Sequence, residues 1–445
     1  MRVLIVGNGG RESAFAWKLF EDNNKIFAVI QHKNPSIIEY VKSSGGEFII
    51  GNILDGKLIA DFAIEKDIEL AFINSDSPLE AGVVDVLLKA GVKTVGPNRL
   101  GSEIEWNKSF AMKLFQEVIP NYTPKYWIAE NQDMIETVFS QVIKDNIPVV
   151  VKPQGLTAGK GVKVMGEHLA NFEEAKQYAI EVLSNKIGKS EAVIIGEKLE
   201  GKEFTMQVIT DGKTIISPPT TYDHPYRYAF DKGPGTGGMG SFTDIRNKLP
   251  FMKKKDYSTC INIIQKIING LERAGRQFNG VLNAGFFLTQ KGIRIMEVNA
   301  RFGDPESMNI MLILDVSLSA LLSKIFTKTL TQKDVRFKHK ASVVKYLVAP
   351  EYANGNGKKH KFFLDKEKII DSGIQVFFSA AEETGKKHIY QTVGNSRVVA
   401  LATTDKNIPA ATQKIENAIA NFVHGKLEYR RDIGTSEQLE MLSHI

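Results

Sequence analysis

Short apolar segments alternate with helical patterns over residues 1–100, and this alternation constrains the fold more strongly than any other feature of the chain. Each apolar segment has the length of a buried strand, and the stretch after it has the spacing of an amphipathic helix. A regular strand–helix–strand order is typical of a doubly wound parallel sheet. The sequence predicts strands at Val3–Val6, Ile26–Ile30, Phe48–Ile50, Leu70–Ile73 and Thr94–Val95, with a break at Gly96–Pro97.

The rest of the chain predicts two further domains, so we expect a multidomain α/β protein. Helical spacing at 107–118, 131–145, 171–185 and 257–273 alternates with strand patterns, which favours a central α+β domain with antiparallel strands. After Asp334 strand patterns predominate and predict a small mixed α/β domain. The glycine-rich segment Gly233–Gly240 is predicted to be a loop. The predicted domains are residues 1–105, 106–330, with a flexible lid at about 124–190, and 331–445.

Composition restricts the class of protein. The formal net charge is +6, and no dense basic stripe with interleaved aromatic residues is present, so we expect no nucleic-acid partner. The sequence contains no run of about 18 apolar residues, so we expect no membrane span. The strand Val3–Val6 runs into a glycine turn and does not resemble a signal peptide. The single cysteine, Cys260, excludes an internal disulfide and a cysteine-based zinc site, and it fits a reducing, cytoplasmic location.

A carboxylate and an amide stand two residues apart at the end of a strand pattern. Alternate residues of a strand point to the same face, so Glu297 and Asn299 would present two oxygen ligands side by side. Oxygen ligands suit Mg²⁺, with Mn²⁺ as an alternative. Arg301, Asp304 and Glu306 follow directly. Dense polar chemistry after a buried strand predicts a functional site.

The first strand is followed by Gly7-Asn-Gly-Gly-Arg-Glu12. Glycines there let backbone amides approach a phosphate at a helix N-terminus. Glu12 stands where the dinucleotide fingerprint needs its third glycine, so a nicotinamide cofactor is not expected. Two interpretations remain open for this segment: a phosphate or small-ligand loop, and a structural tight turn.

A lysine ends the next predicted strand of the central domain. Lys152 precedes a glycine loop that runs through Gly155, Gly159 and Gly161, and the spacing does not fit a P-loop. A lysine at a strand end can hold phosphates while the loop folds over them. The alternative is a plain hairpin turn with exposed lysines.

Two more segments indicate ligand contacts only when they are combined with the motifs described above. The segment Gly196–Glu203 follows a strand, where backbone groups could contact an adenine edge and a carboxylate could contact ribose. Asp223, His224 and the Gly233–Gly240 segment suit a mobile lid or an anion cradle, with a disordered connection as the alternative.

In this order the motifs resemble those of ATP-grasp ligases, and more narrowly the phosphoribosylamine–glycine ligase family, over the full chain. The resemblance rests most strongly on the strings Arg301-Phe-Gly-Asp-Pro-Glu306 and Thr236-Gly-Gly-Met-Gly240, joined by Val6–Glu12, Pro78-Leu79, Gly96-Pro97, Lys108, Ala158–Val162, Asp223-His224 and Arg431–Gly434. The family's reaction has two steps. ATP phosphorylates the carboxylate of glycine, and the amine of 5-phosphoribosylamine then attacks the acyl phosphate.

The resemblance implies a role for each motif, with Mg²⁺ or Mn²⁺ as cofactor and a monomer or weak dimer as the assembly. Glu297 and Asn299 would bind the metal, and Arg301, Asp304 and Lys152 would act in catalysis. The implied ATP contacts are Lys108, Lys152, Gly159, Lys160, Gly161, Glu197, Leu199 and Glu203. The implied substrate contacts are Gly9, Gly10, Asp223, His224, Gly237, Gly238, Met239, Gly240, Arg301, Gly303, Asp304 and Glu306.

The chain departs from the family pattern mainly on the amine side. The usual Gly-Pro-Glu becomes Asn74-Ser-Asp76, and further differences lie at 33–35, 153–154, 225–226 and 235. One alternative is therefore a related ATP-grasp ligase that joins a different amine or acid. Another is a nucleotide-binding protein without turnover, against which Lys108, Lys152, Glu297 and Asn299 argue.

Overall fold

The fold begins with a five-stranded parallel sheet. The computed structural model of the chain describes residues 1–157, 161–246 and 248–443. The first elements are β1 (Arg2–Val6), α1 (Gly10–Glu21), β2 (Lys25–Ile30), α2 (Pro35–Ser43), β3 (Phe48–Ile50), α3 (Gly56–Glu65), β4 (Leu70–Phe72), α4 (Asp76–Glu80), α5 (Val83–Lys89), β5 (Thr94–Val95) and α6 (Glu103–Trp106). The strand order is β3-β2-β1-β4-β5, so the direction of winding reverses between β1 and β4. In such sheets ligands bind where the carboxyl ends of those two strands meet.

A small separate layer follows the first helix of the central domain. That helix is α7 (Lys108–Val118), and the elements of the layer are β6 (Tyr126–Ala129), α8 (Gln132–Lys144), β7 (Val149–Pro153), β8 (Lys163–Val164), α9 (Phe172–Ser184) and β9 (Val193–Glu197). The sheet order is β6-β9-β7-β8, all antiparallel. The apolar faces of α8 and α9 pack on this sheet and form a core of their own. This compact unit coincides with the predicted lid, whose movement stays a prediction.

The remainder of the central domain is built on long antiparallel strands. Its elements are β10 (Lys202–Thr210), β11 (Ile215–Ile216), β12 (Tyr222–Asp223), β13 (Tyr226–Tyr228), β14 (Lys232–Gly235), β15 (Gly240–Thr243), α10 (Lys254–Arg273), β16 (Gly280–Thr289), β17 (Gly292–Asn299), α11 (Glu306–Ile313) and α12 (Leu318–Thr327). One sheet has the order β11-β10-β16-β17. Helix α10 buries its isoleucine stripe against the core, as its spacing predicts.

The C-terminal region adds β18 (Ala341–Val348), β19 (Lys361–Leu364), α13 (Lys366–Asp371), β20 (Gln375–Phe378), β21 (Ala381–Glu383), β22 (Ile389–Thr392), β23 (Arg397–Asp405), α14 (Ile408–Phe422), β24 (Val423–Gly425) and α15 (Ser436–Ser443). Strands β21-β22-β19-β24 form one sheet, and β18, β23 and β20 join β12 and β15 in another. Because that second sheet contains strands from both sides of residue 330, the predicted limit at 330/331 cuts through a shared sheet. The domain limits as a set stay a prediction.

The prediction of an uninterrupted loop at Gly233–Gly240 is wrong at both ends. Strand β14 pairs with β13, and Gly240 begins β15. Glycine and proline lower strand propensity, but pairing with a neighbouring strand satisfies their backbone groups. The fold class itself is confirmed: a parallel doubly wound domain, an antiparallel α+β centre and mixed α/β elements at the C-terminal end. No described helix combines the length and apolar character needed to cross a membrane.

Candidate active site

The predicted metal pair lies at the end of β17, on the polar face of the central sheet. Glu297 is paired with Gly285, and Asn299 with Asn283. The amide of Asn299 donates to Glu297 Oε1 over 3.4 Å, so the two side chains lie next to each other. The donor set is carboxylate plus amide oxygen, which fits a hard divalent cation such as Mg²⁺.

A bulge in β17 gives the pair this orientation. The pairing register between β16 and β17 changes at Met296, which lies between the pairs Phe286–Ile295 and Gly285–Glu297. Ile295 and Val298 both face the core because of this shift, and Glu297 faces away from it. In an uninterrupted strand Glu297 would share a face with the buried Ile295. Bulges next to active sites commonly re-aim a side chain in this way.

Two lysines lie near this pair. Lys152 ends β7, and Lys108 begins α7. The ammonium of Lys108 donates to the carbonyl of Gly155 at 2.9 Å, which ties helix α7 to the glycine loop. Burial lowers the pKa of Lys108 and the charge of Lys152 acts in the same direction, whereas Glu297 opposes them. Lys108 therefore lies within electrostatic reach of both Glu297 and Lys152.

The predicted nucleotide contacts lie on β9, on β10 and between them. Glu197 ends β9, Leu199 follows it, and Glu203 lies on β10 within electrostatic reach of Glu297 and Lys152. Burial and the neighbouring Glu297 raise the pKa of Glu203 to about 7. Gly161 accepts a hydrogen bond from Tyr178 through its carbonyl. Gly159 and Lys160, which we also predicted as ATP contacts, lie outside the described residues.

Arg301 is held from the short helix α6. Its Nε donates to Glu105 at 3.1 Å, and the other oxygen of Glu105 accepts from the backbone N–H of Ala300 at 2.8 Å. Burial opposes ionisation of Asp76, but the charges of Arg301 and Arg11 hold its pKa below the usual range. The shortened acid of the Asn74–Asp76 segment thus remains ionised beside Arg301. Glu105 gave no sequence signal, because nothing in its spacing connects it with residue 301.

Asp304 is tied to the C-terminal domain. Its carboxylate accepts from Tyr346 at 2.7 Å and pairs with Arg397 at 3.2 Å. Arg397 also donates to the carbonyls of Gly237 and Gly238. One arginine from β23 therefore connects the turn after β17 with the glycine-rich loop. Both carboxylate oxygens of Asp304 are already bound, and these contacts favour a positioning role. Its catalytic role stays a prediction.

The side chain of His224 is fully buried and both ring nitrogens have partners. Nδ1 donates to the carbonyl of Gly240 at 3.1 Å, and Nε2 accepts from the amide of Gln438 at 2.8 Å. Burial, followed by the charge of Arg430, lowers the pKa of His224 to about 4. The ring holds β15 and α15 together and does not point into open space. Substrate contact by His224 stays a prediction and, in this arrangement, would involve its backbone.

The buried neutral state of His224 predicts a pH-dependent stability. The unfolded chain protonates this ring near its ordinary pKa of about 6.5, whereas the folded chain does so near pH 4. Between these values the unfolded state binds more protons, so stability falls as the pH is lowered. We expect the wild type to lose about 2 kcal/mol more unfolding free energy than His224→Gln between pH 7 and pH 5, as measured by urea unfolding. Equal losses in the two proteins would contradict this assignment.

The first glycine loop is occupied by a side chain of its own helix. The backbone N–H of Gly9 donates to Glu12 Oε2 at 2.8 Å, and Arg11 pairs with the other oxygen of Glu12 at 2.7 Å. A Cβ on Gly10 would lie 2.3 Å from the hydroxyl of Tyr346. These contacts favour the structural interpretation of the turn. Substrate contact by Gly9 and Gly10 stays a prediction, since the amide of Gly9 is already bonded.

The backbone of the turn after β17 donates to two side chains from other parts of the fold. Phe302 N–H donates to the side chain of Asn74 at 3.1 Å, and Gly303 N–H donates to that of Gln207 at 2.9 Å. A Cβ on Gly303 would lie 2.4 Å from the carboxylate of Glu306, so a larger residue here would displace that carboxylate. Asn74 and Gln207 were missed as site residues, although Asn74 stands at a position where the family pattern has glycine.

Two family models and several known proteins match the sequence of this chain. The model for the N domain of phosphoribosylglycinamide synthetase matches residues 1–105, and the model for its ATP-grasp (A) domain matches residues 106–307. Phosphoribosylamine–glycine ligase of Methanosphaera stadtmanae is 37% identical over 450 residues, covering 100% of this chain and 99% of the relative. That of Thermococcus kodakarensis is 37% identical over 439 residues, covering 99% and 97%.

A solved structure shares the same architecture. The crystal structure of phosphoribosylamine–glycine ligase from Thermotoga maritima superposes with a TM-score of 0.78 at 22% identity, covering 97% of this chain and 100% of that chain. At this identity the match supports the fold alone, whereas the sequence relatives support the family. The chain belongs to the phosphoribosylamine–glycine ligase family and has the ATP-grasp fold.

Proposed function

We propose that this chain is the carbon–nitrogen ligase for which its family is named. It joins glycine to 5-phosphoribosylamine in purine biosynthesis, with ATP as the source of energy. The products are glycinamide ribonucleotide, ADP and phosphate. The observation that carries the proposal is a group of neighbouring charges: Lys108 lies within electrostatic reach of Glu297 and Lys152. Arg301 donates to Asn299, the other member of the metal pair, at 3.5 Å.

In the first step a carboxylate oxygen of glycine attacks the γ-phosphorus of ATP, and the bond to ADP breaks. Negative charge then accumulates on the transferred phosphoryl group. Pre-placed cations stabilise such charge without reorganising during the reaction. We assign this role to Lys108, Lys152 and Arg301. Glu197, Leu199 and Glu203 hold the adenine and ribose, and the glycine loop around Gly161 covers the phosphates.

In the second step the amine nitrogen attacks the acyl carbon, the carbon–oxygen bond breaks, and the nitrogen gives up one proton as phosphate leaves. An acyl phosphate hydrolyses in water, so closure of the site matters. The compact layer of residues 126–197 carries Lys152 and is the element that we propose to close. The loop from Gly237 to Gly240, fixed by Arg397, forms the opposite wall on the amine side.

Glu297 and Asn299 are the residues that would hold a divalent cation, Mg²⁺ or Mn²⁺. When bound there, such a cation neutralises phosphate charge and fixes the γ-phosphoryl group for in-line transfer. The single cysteine is buried, in keeping with a reducing cytoplasmic location. We propose small molecules as the partners of this site and a monomer or weak dimer as the assembly.

A substrate panel tests the function. ADP release should require both glycine and 5-phosphoribosylamine, and mass spectrometry should find one glycyl residue added to the ribosylamine. Other small amino acids and other amines serve as controls. ADP release that does not depend on glycine would contradict the proposal. Release with a different pair would instead identify a related ligase, which is the outcome that Asn74 and the changes at 225–235 would then explain.

A further inference from the structure

The compact layer of residues 126–197, called the lid layer below, has one polar contact with the chain that follows it. The phenol of Tyr226 on β13 donates to Glu167 Oε2 at 2.8 Å. Among the residues that the structure describes, no other hydrogen bond or ion pair joins the lid layer to residues 199–443. Any movement of the lid layer away from the central sheet therefore has to break this bond.

On the side of the lid layer, a lysine holds Glu167 in place. Lys198 binds the second carboxylate oxygen of Glu167 at 3.0 Å, and it donates to the carbonyl of Met165 at 3.1 Å. In the sequence Lys198 stands between Glu197 and Leu199, the two residues that we assign to the adenine. The turn that carries Glu167 therefore lies beside the proposed nucleotide site.

On the other side of the bond, Tyr226 is fixed to the C-terminal region. Its carbonyl accepts from Nη1 of Arg430 at 3.2 Å. The guanidinium of Arg430 is buried and pairs with Asp231, in the turn between β13 and β14, at 2.8 Å. The carbonyl of Pro225 accepts from the backbone N–H of Thr236 at 2.7 Å, and Thr236 begins the glycine-rich loop. The strand of Tyr226 is thus anchored both to the C-terminal region and to the wall on the amine side.

The bond has a defined donor and a charged acceptor. Burial, followed by the bond to Glu167, raises the pKa of Tyr226, so the phenol keeps its proton. Burial opposes ionisation of Glu167, but the hydrogen bonds from Tyr226 and Lys198 hold its pKa below the usual range. Hydrogen bonds to an ionised acceptor are stronger than those between neutral groups. The contact between the two segments is therefore charge-assisted at neutral pH.

We propose that Tyr226 is a positioning residue that holds the lid layer closed over the bound nucleotide through its bond to Glu167. Because its strand continues into the glycine-rich loop, the bond joins the wall assigned to ATP with the wall assigned to the amine. Position 226 is one of those at which the chain departs from its family pattern. The assignment of the two walls rests on the proposed function, whereas the contact with the lid layer does not.

A nucleotide that lies under a closed layer leaves only when the layer opens. Loss of the bond should therefore speed nucleotide release. The chemical step should keep its rate, because the phenol is bound to Glu167 and is not assigned to the reacting atoms. A release rate that changes without the chemical rate separates a positioning role from a general loss of structure.

The test measures ADP release, which requires neither glycine nor the amine. The variant Tyr226→Phe removes the hydroxyl and keeps the ring. The matched control is Tyr228→Phe on the same strand, whose hydroxyl accepts from Asn354 at 2.8 Å and makes no bond to the lid layer. Stopped-flow mixing of the ADP-bound protein with an excess of a fluorescent ADP-binding reporter gives the release rate. Thermal unfolding confirms that each variant folds.

We expect Tyr226→Phe to release ADP about fivefold faster, a moderate factor because water competes for a partly exposed bond. The chemical step is followed in single turnovers at saturating ATP and glycine. Hydroxylamine there replaces 5-phosphoribosylamine and traps the acyl phosphate as a hydroxamate. The rate of hydroxamate formation should change by less than about twofold. Tyr228→Phe should match the wild type in both rates. An unchanged release rate in Tyr226→Phe, or equal changes in the two tyrosine variants, overturns the proposal.

A second variant tests the partner. Glu167→Ala removes an exposed side chain and should also speed ADP release. In the Glu167→Ala background, Tyr226→Phe should have no further effect, because its acceptor is gone. A further fivefold acceleration in the double variant would overturn the assignment to Glu167. Faster release in Tyr226→Phe, with no hydroxamate formed from glycine by any of the proteins, would contradict the proposed function and still support the role of Tyr226.

Discussion

Glu297→Ala is expected to reduce turnover by at least about 10³-fold, because it removes the only carboxylate of the proposed metal pair. The side chain faces away from the core, and among the described residues its one hydrogen bond joins it to Asn299. Folding should therefore survive the change, and thermal unfolding should remain within a few degrees of the wild type. The measurement is ADP release at saturating ATP, over a range of Mg²⁺ and Mn²⁺ concentrations.

A matched control is Glu272→Ala, which removes an exposed carboxylate from α10. It should have wild-type turnover. Normal activity of the Glu297 variant at low metal concentration would refute the metal assignment. Partial recovery at high metal concentration would support it, because the amide oxygen of Asn299 and the phosphates remain as ligands.

Arg301→Lys is expected to lower kcat by about 10²-fold with little change in KM for ATP. The substitution keeps the charge but removes the planar fork. In the wild type that fork is oriented by Glu105 at 3.1 Å, by the carbonyl of Phe302 at 3.1 Å and by Asn299. Lysine can satisfy one of these partners but cannot hold a carboxylate and a phosphoryl group in a fixed geometry. The measurement is hydroxamate formation from glycine, which isolates the first step.

The structure offers a close control for this substitution. Arg276 pairs with Glu103 at 2.7 Å, so the same helix α6 holds both arginines through carboxylates two residues apart. Arg276→Lys should leave kcat unchanged and lower stability slightly, since partly exposed ion pairs contribute about 1 kcal/mol or less. Equal kinetic losses in the two variants would indicate that α6 matters only for folding.

Local pattern was sufficient for part of the elements. The strands β1 to β5 and the helices α7 to α10 follow from apolar spacing, because each buries one side against a neighbour. It failed in the segment from Gly233 to Gly240, where composition favoured a loop. Pairing between β13 and β14 decided otherwise, and no local signal reports a partner strand.

The side-by-side position of Glu297 and Asn299 also followed from spacing. The face of the sheet to which they point did not. Alternation placed the two side chains together, and only the bulge at Met296 turned them from the core to the polar face. A bulge depends on the register with β16, where Gly285 leaves room for Met296 and Glu297. That register is a property of the sheet and not of the strand.

The sequence by itself determined the strand–helix order, the types of residues in the site and, through its motifs, the family. Tertiary structure alone decided which of those residues meet. Glu105 reaches Arg301 across about two hundred residues, Arg397 binds Asp304 from the C-terminal domain, and Gln438 fixes His224 from the last helix. The physical reason is that periodicity reports which face of an element is buried, whereas hydrogen bonds and ion pairs between distant segments depend on how those faces are finally packed.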